Sequence, residues 1–334
     1  MRVFFLILLS FFSFKCFSIE RALLIGIGTY PDNSGWSKIS SVNDVDLLKG
    51  CIKDFEIITL TDKQATHDNI IKAIENLINI LQPGDSVLVH FSCHGQRIIT
   101  YKNNEPDMLD EALVAFDAKA IKSPDYVGQY HLLDDKVGNL IKQVSRKIGP
   151  AGLVVVTLDA CYSDSMDKGE KQKKGPIYRG GNGVFGKDDI SQDSLYRLKK
   201  VYYKQDTTSI EKNLEHSDIV WLSACKTYQK NMEVVKGNIG YGSLSYAMYT
   251  AFTKYDFSSV EQWLDVVYEQ MQKDVFMQTP QVRTTLNYHF PNAITKKEES
   301  SGEISKGKSY LYSLLLSFTG LLAIYLIWKT IKRK

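Results

Sequence analysis

Cysteine is scarce in this chain, at five residues in 334. Cys51, Cys93, Cys161 and Cys225 lie beyond the first twenty positions, too few for a disulfide framework, and no C-x-x-C spacing offers a metal knot. One bridge among Cys51, Cys93 and Cys225 remains open. Charge of one sign is lacking too: a formal net charge of +3 makes no case for nucleic acid. No Asn-x-Ser/Thr sequon occurs, so nothing points to glycosylation. No internal repeat is visible, and one domain is the economical count. What is left is ordinary globular composition, 44% hydrophobic and 24% charged, enough for a sizeable core.

Two segments stand out. One is Val87-Leu88-Val89-His90-Phe91-Ser92-Cys93-His94-Gly95; the other is Leu153-Val154-Val155-Val156-Thr157-Leu158-Asp159-Ala160-Cys161-Tyr162-Ser163. Each reads as a buried parallel strand, because its residues are apolar and largely β-branched. Each ends in one reactive side chain, where ligands gather in open α/β sheets, beyond the strands' carboxyl ends. A thiol and an imidazole delivered there are the minimum equipment of a cysteine hydrolase. Cys161 is the candidate nucleophile and His94 the candidate base, which later protonates the leaving amine. The N–H groups of Gly95 and Cys161 are the candidate donors to an oxyanion.

The ends predict export. Arg2, the apolar run Val3 to Phe12, and small residues Cys16 and Ser18 form a secretory signal pattern over 1–18. Ser309 to Trp328 carries no charge and has the length of a membrane span. Lys329, Lys332, Arg333 and Lys334 follow it, which places the tail 329–334 in the cytoplasm. A Lys, Glu, Ser and Gly linker, 296–308, precedes the span. The expectation is a single-pass membrane protein with the domain 19–295 outside the cytoplasm, in a bacterial envelope.

Strand and helix patterns alternate between those ends, which predicts a mostly parallel sheet covered on both faces. Strands are expected at 22–27, 56–60 and 219–224, besides the two above, with an edge strand at 281–285. Helices are expected at 43–53, 66–81, 133–148 and 242–254, and Ser258-Ser259-Val260-Glu261 reads as the capping box of another. Residues 96–131, acid-rich and interrupted by Pro106 and Pro124, read mostly as loop. Residues 164–192, dense in Lys, Gly and Asp, read as a mobile basic surface loop.

Ser92-Cys93-His94-Gly95-Gln96 and Asp159-Ala160-Cys161-Tyr162-Ser163-Asp164 resemble the two active-site motifs of caspase-like cysteine peptidases, specifically metacaspases and bacterial caspase-family peptidases. Leu109 to Asp117, His131 to Asp135 and Leu222 to Cys225 extend the resemblance. It implies a three-layer αβα caspase-like sandwich with a His94–Cys161 dyad. Ser41, where many members carry Cys, and Cys93, where Gly is usual, depart from the pattern.

Metacaspases resemble one another in acids that accept Arg or Lys, where caspases use Arg to accept Asp. Asp159, two residues before Cys161, lies on the same side of an extended strand as the nucleophile. By resemblance Asp44 is the second pocket acid and Ser92 a pocket hydroxyl. The partners expected are therefore protein or peptide substrates with Arg or Lys at the cleavage position. Lys171, Lys173, Lys174 and Arg179 offer an internal substrate, so self-cleavage is expected within 168–181. The resemblance also implies Ca²⁺ on Asp117, Asp134, Asp135 and Asp167, whose hard oxygens suit that ion, although no cofactor is required by the dyad. The alternatives are a non-catalytic caspase-like scaffold and a legumain-like asparaginyl peptidase or transamidase.

Overall fold

The computed structural model describes residues 20–102, 105–162, 176–180, 183–202 and 212–290. Along the chain run β1 (Glu20–Gly26), α1 (Ser41–Cys51), β2 (Glu56–Thr61), α2 (His67–Ile80), β3 (Ser86–Ser92), β4 (Gly95–Lys102), β5 (Glu105–Val114) and β6 (His131–Leu133). Then follow α3 (Asp134–Ile148), β7 (Leu153–Asp159), α4 (Gln192–Tyr202), β8 (Asp218–Ser223), β9 (Glu233–Lys236), β10 (Ile239–Gly242), α5 (Ser243–Lys254), α6 (Val260–Asp274) and β11 (Gln281–Thr284).

The apolar runs pair in parallel. The six-stranded sheet has the order β11-β8-β7-β3-β1-β2, and only β11 at the edge is antiparallel to its neighbour. Successive side chains of a strand face opposite ways, so β1 sends Leu23 and Ile25 to one core and Ala22 and Leu24 to the other. The first core is closed by Ile70, Ile74 and Leu77 of α2 with Val137, Ile141 and Val144 of α3. The second is closed by Leu48 of α1, Met248 of α5 and Leu264 of α6. Burial on both faces is why these strands read as unbroken apolar runs. The result is a three-layer αβα sandwich, as expected.

Several expectations need correction. Residues 96–131 are not mostly loop: β4 and β5 form an antiparallel pair extended by β6. Pro106 is tolerated because it sits near the start of β5, beside a register shift at Thr100/Tyr101 where the ladder is already broken. Ile99 and Leu109 of this pair bury themselves with Val184 and with Leu195 of α4, so part of 164–192 is packed rather than exposed. Helix α1 begins two residues earlier than expected and stops at Cys51. The cap of α6 is shifted by one: Ser259 accepts from Gln262 N at 3.3 Å, while Gln262 Oε1 accepts from Ser258 N at 2.9 Å. The predicted signal peptide 1–18, linker 296–308, membrane span 309–328 and tail 329–334 lie outside the described residues. Among the described residues no helix is long and apolar enough to cross a membrane.

Loss of that side-chain cap has a definite size. Ser259→Ala is expected to cost about 1 kcal/mol of stability, and Ser258→Ala less. Thermal unfolding of the two variants side by side checks the assignment.

Candidate active site

The register of the central strands brings the two conspicuous sequence segments together. The last paired residues of β3 and β7 are Ser92 and Asp159; two positions further on stand His94 and Cys161. A side chain on Gly95 would press on the carbonyl of Cys161, since an ideal Cβ there falls 2.7 Å from that oxygen. Glycine is what allows the two strand ends to meet.

Below this junction lies a pocket of acids. Asp44 is delivered by the first turn of α1 and Asp159 by the end of β7. Ser92 joins them, its hydroxyl donating to Asp44 Oδ2 at 2.7 Å. Glu233, at the start of β9, is a third carboxylate that no motif or spacing marks in the sequence. All three acids are buried. Their spare lone pairs are satisfied: Gly242 N donates to Asp44 Oδ1 at 2.8 Å, and Ser245 Oγ and Asn231 Nδ2 donate to Asp159 at 2.6 and 2.7 Å. Ser40 donates to Glu233 through N and Oγ at 2.6 and 2.8 Å. A Cβ on Gly242 would overlap the Asp159 carboxylate, so that position too needs glycine.

The pocket is filled by the chain's own Arg179, which is 0% exposed. Its Nη2 meets Asp44 Oδ2 at 2.8 Å and Glu233 Oε1 at 3.0 Å; its Nη1 lies 3.5 Å from Asp159 Oδ1 and donates to Ser92 Oγ at 2.6 Å. Far from lying on a surface loop, this arginine is the most enclosed cation of the site. The backbone around it is held as an added strand. Arg179 N donates to Asn231 O at 3.0 Å, Glu233 N donates to Ile177 O at 2.9 Å, and Tyr178 bridges Met232 antiparallel. Gly180, next in the chain, stands so close to Cys161 that a Cβ would overlap the cysteine's carbonyl. Arg179 therefore sits in the acid pocket with the following peptide bond beside the candidate nucleophile.

Charge burial shapes these groups. Burial, with Asp159 adding to it, pushes Asp44 up to about 6 against the pull of Arg179 and the bonds from Ser92 and Gly242. Burial would lift Asp159 as well, but Arg179 and the bonds from Ser245 and Asn231 outweigh it and hold the group below its ordinary value.

His94 is fixed on every side. Trp36 stacks on the ring at 4.9 Å between centroids, and Tyr30 lies 5.4 Å away on a tilt. Tyr30 OH accepts from His94 N and donates to Val114 O, both at 3.2 Å. His94 Nε2 meets the carbonyl of Ser37 at 2.9 Å. A carbonyl only accepts, so Nε2 carries the hydrogen, and in the neutral ring Nδ1 holds the lone pair. Burial pushes the ring's pKa down to about 4, which keeps it neutral near pH 7. Nδ1 is buried and has no hydrogen-bond partner among the described residues. Cys161 Sγ donates to Gln229 O at 3.2 Å.

A family model for the caspase domain matches residues 19–291. The chain belongs to the caspase-domain family. Metacaspase-1 of Cryptococcus neoformans var. neoformans (serotype D, strain JEC21) is similar at 24% identity over 301 residues, covering 80% of this chain and 63% of that protein. Metacaspase-1B of Neosartorya fischeri is also 24% identical, over 309 residues, covering 80% and 69%. The chain thus spans less than two thirds of the first of these relatives. Among solved structures, protein GSU0716 of Geobacter sulfurreducens shares the fold, with a TM-score of 0.52 at 21% identity over 80% of this chain and 93% of that one.

In this caspase domain three of the four residues expected to hold calcium, Asp117, Asp134 and Asp135, fall among the described residues. Asp117 Oδ1 accepts from His67 N at 2.9 Å at the head of α2, and Asp134 and Asp135 open α3, Asp134 Oδ1 accepting from Asp135 N at 2.9 Å. Among the described residues no three His, Cys, Asp or Glu side chains group to hold a metal. Asp167 lies outside the described residues, as do Lys171, Lys173 and Lys174.

Removing the pocket's cation leaves three buried carboxylates without a counter-charge. Arg179→Ala, made in a Cys161→Ala background, is expected to lose about 3 kcal/mol of stability near pH 8. The guanidinium lowers the pKa of Asp44, so without it Asp44 is protonated at higher pH, and the loss should shrink as pH falls from 8 toward about 6. Denaturant titrations on either side of that pH measure the difference.

Proposed function

We propose that this caspase domain is a cysteine endopeptidase of metacaspase type that cuts after Arg or Lys, tethered to a membrane through 309–328 with the domain outside the cytoplasm. The observation that carries the specificity is the seat of Arg179 among Asp44, Asp159 and Glu233. A substrate's cationic side chain would take the same place, and its backbone would pair with 231–233 as residues 177–179 do, adding a strand to an exposed edge. An acidic side chain would be repelled there. A neutral asparagine would leave buried carboxylates unpaired, which disfavours the legumain-like reading.

The chemistry follows from the groups at the strand ends. Nδ1 of His94 takes the proton of Cys161 Sγ, and the thiolate attacks the carbonyl carbon after the bound Arg or Lys. The N–H groups of Gly95 and Cys161 receive the oxyanion. Collapse breaks the C–N bond, His94 returns the proton to the leaving amine, and a thioester is left on Cys161. Water, deprotonated by His94, then releases the acid. The tether needs the C-terminal span, and calcium enters the proposal only as a ligand that Asp117, Asp134 and Asp135 could share with Asp167.

Self-processing is part of the same reading. Within 168–181 the bond it singles out is Arg179–Gly180. Purified wild-type chain should be cut there, and the Cys161→Ala chain should stay intact; a Cys161→Ala chain that cuts itself at this bond would overturn the idea.

A fluorogenic peptide panel with Arg, Lys, Asp or Asn at the cleavage position, run with and without Ca²⁺, tests the specificity. Arg and Lys peptides should be hydrolysed at least about 100-fold faster than Asp, the order set by one buried charge pair. Failure of an arginyl chloromethyl ketone to label Cys161 would sink the peptidase reading itself.

Acidity should act on binding first. As pH falls through about 6 Asp44 takes up a proton, so KM for arginyl peptides should rise while kcat changes less. A pH series of initial rates at varied peptide concentration checks it.

A further inference from the structure

Cys225 follows β8 as closely as Cys161 follows β7. The two strands are parallel, with Leu158 opposite Ser223, and Ala224 N donating to Leu158 O at 2.9 Å continues the pairing one step further. Carried on, this register sets Cys225 opposite Ala160, one residue before Cys161, and a side-chain hydrogen bond joins the two thiols. Both thiols also address one acceptor. Cys161 Sγ donates to Gln229 O at 3.2 Å and Cys225 Sγ donates to the same oxygen at 3.5 Å. The turn that carries this oxygen is pinned by Gln229 N to Lys226 O at 2.9 Å and by Arg97 Nη2 to Thr227 O at 2.5 Å. The other thiols are engaged elsewhere. Cys51 donates to Leu48 O within α1, and Cys93 is buried in the first core.

We infer that Cys161 and Cys225 are a paired redox modification site, in which a hydroperoxide converts the two thiols to a reversible disulfide. The thiolate of Cys161 attacks the peroxide, forming an S–O bond as O–O breaks; the departing alkoxide or hydroxide takes up a proton. Cys225 sulfur then attacks the sulfenic sulfur of Cys161. The S–S bond forms, S–O breaks, and hydroxide leaves with the Cys225 proton as water. Two thiols lose two electrons and the peroxide gains them. The hydrogen bond with Cys161 and burial both raise the pKa of Cys225, which disfavours its own direct reaction with peroxide. The disulfide occupies the sulfur needed for attack and shields it from the irreversible sulfinic state.

The bond itself does not rest on the peptidase reading; its effect on activity does. The reduced full chain is treated with stoichiometric hydrogen peroxide and mapped by mass spectrometry without reduction. The expected result is a linked pair of peptides holding Cys161 and Cys225, two hydrogens lighter than the thiols. Dithiothreitol should reverse the link and restore any arginyl peptidase activity lost with it. In Cys225→Ser, given at least two equivalents of peroxide, Cys161 should instead reach the sulfinic state, beyond rescue by dithiothreitol. Cys93→Ala should still form the link. Wild-type Cys161 found as sulfinic acid with Cys225 unmodified, or joined to Cys93, overturns the proposal. That mapping decides it even if the variants fold poorly or no peptidase activity is found.

Discussion

Three carboxylates withdrawn from water at one point must be neutralised or take up protons, and this requirement organises the site. Asp44 arrives on a helix, Asp159 on the central sheet and Glu233 on a separate ribbon, β9–β10. Such an arrangement is costly unless a cation sits within reach and the leftover lone pairs are bonded. Arg179 meets the first condition, and Ser40, Ser92, Asn231, Gly242 and Ser245 meet the second. A two-stranded ribbon is marginal alone. Its seating against α1, through Asn43 Nδ2 to Gly240 O at 3.0 Å and through the shared acids, ties the pocket wall to the main sheet.

How much of this was legible varied with the physics behind each element. Strands β3 and β7 could be read because burial on both faces demands continuous apolar runs, and their termini located His94, Gly95 and Cys161. Asp159 followed from strand alternation; Asp44 and Ser92 came from the resemblance, and the three do converge. Glu233 could not be read, since a four-residue strand in a ribbon carries too little periodicity to be placed. The β4–β5 pair was hidden by its acids and by Pro106, which a bulge absorbs. Arg179 was misjudged for a different reason. Composition shows that a segment is basic, whereas burial of one of its charges depends on partners brought from 135 and 54 residues away (179 − 44 and 233 − 179), visible only in three dimensions.

On the proposed reading, the imidazole is a buried base prepared without a carboxylate behind it. A backbone carbonyl, Ser37 O, fixes the tautomer, and the indole and phenol around the ring fix its plane. Burial makes the charged form unfavourable, so a proton accepted by Nδ1 is held weakly and is readily passed on. The same enclosure brings Cys225 close to Cys161, since two parallel strands that end side by side deliver whatever follows them to one place.

The pairing of residues 177–179 with 231–233 has a kinetic meaning. A segment of the same chain meets its groove at an effective concentration in the millimolar range for a short flexible connection. Any free peptide competes with that standing occupant, whatever its own intrinsic affinity. Only severing the chain on both sides of 177–179 would dilute the occupant to the concentration of the protein itself. On the proposed reading, a cut at Arg179–Gly180 leaves 177–179 joined to β7 on their N-terminal side, so the occupant stays local and a second cut before Ile177 is needed to free the groove.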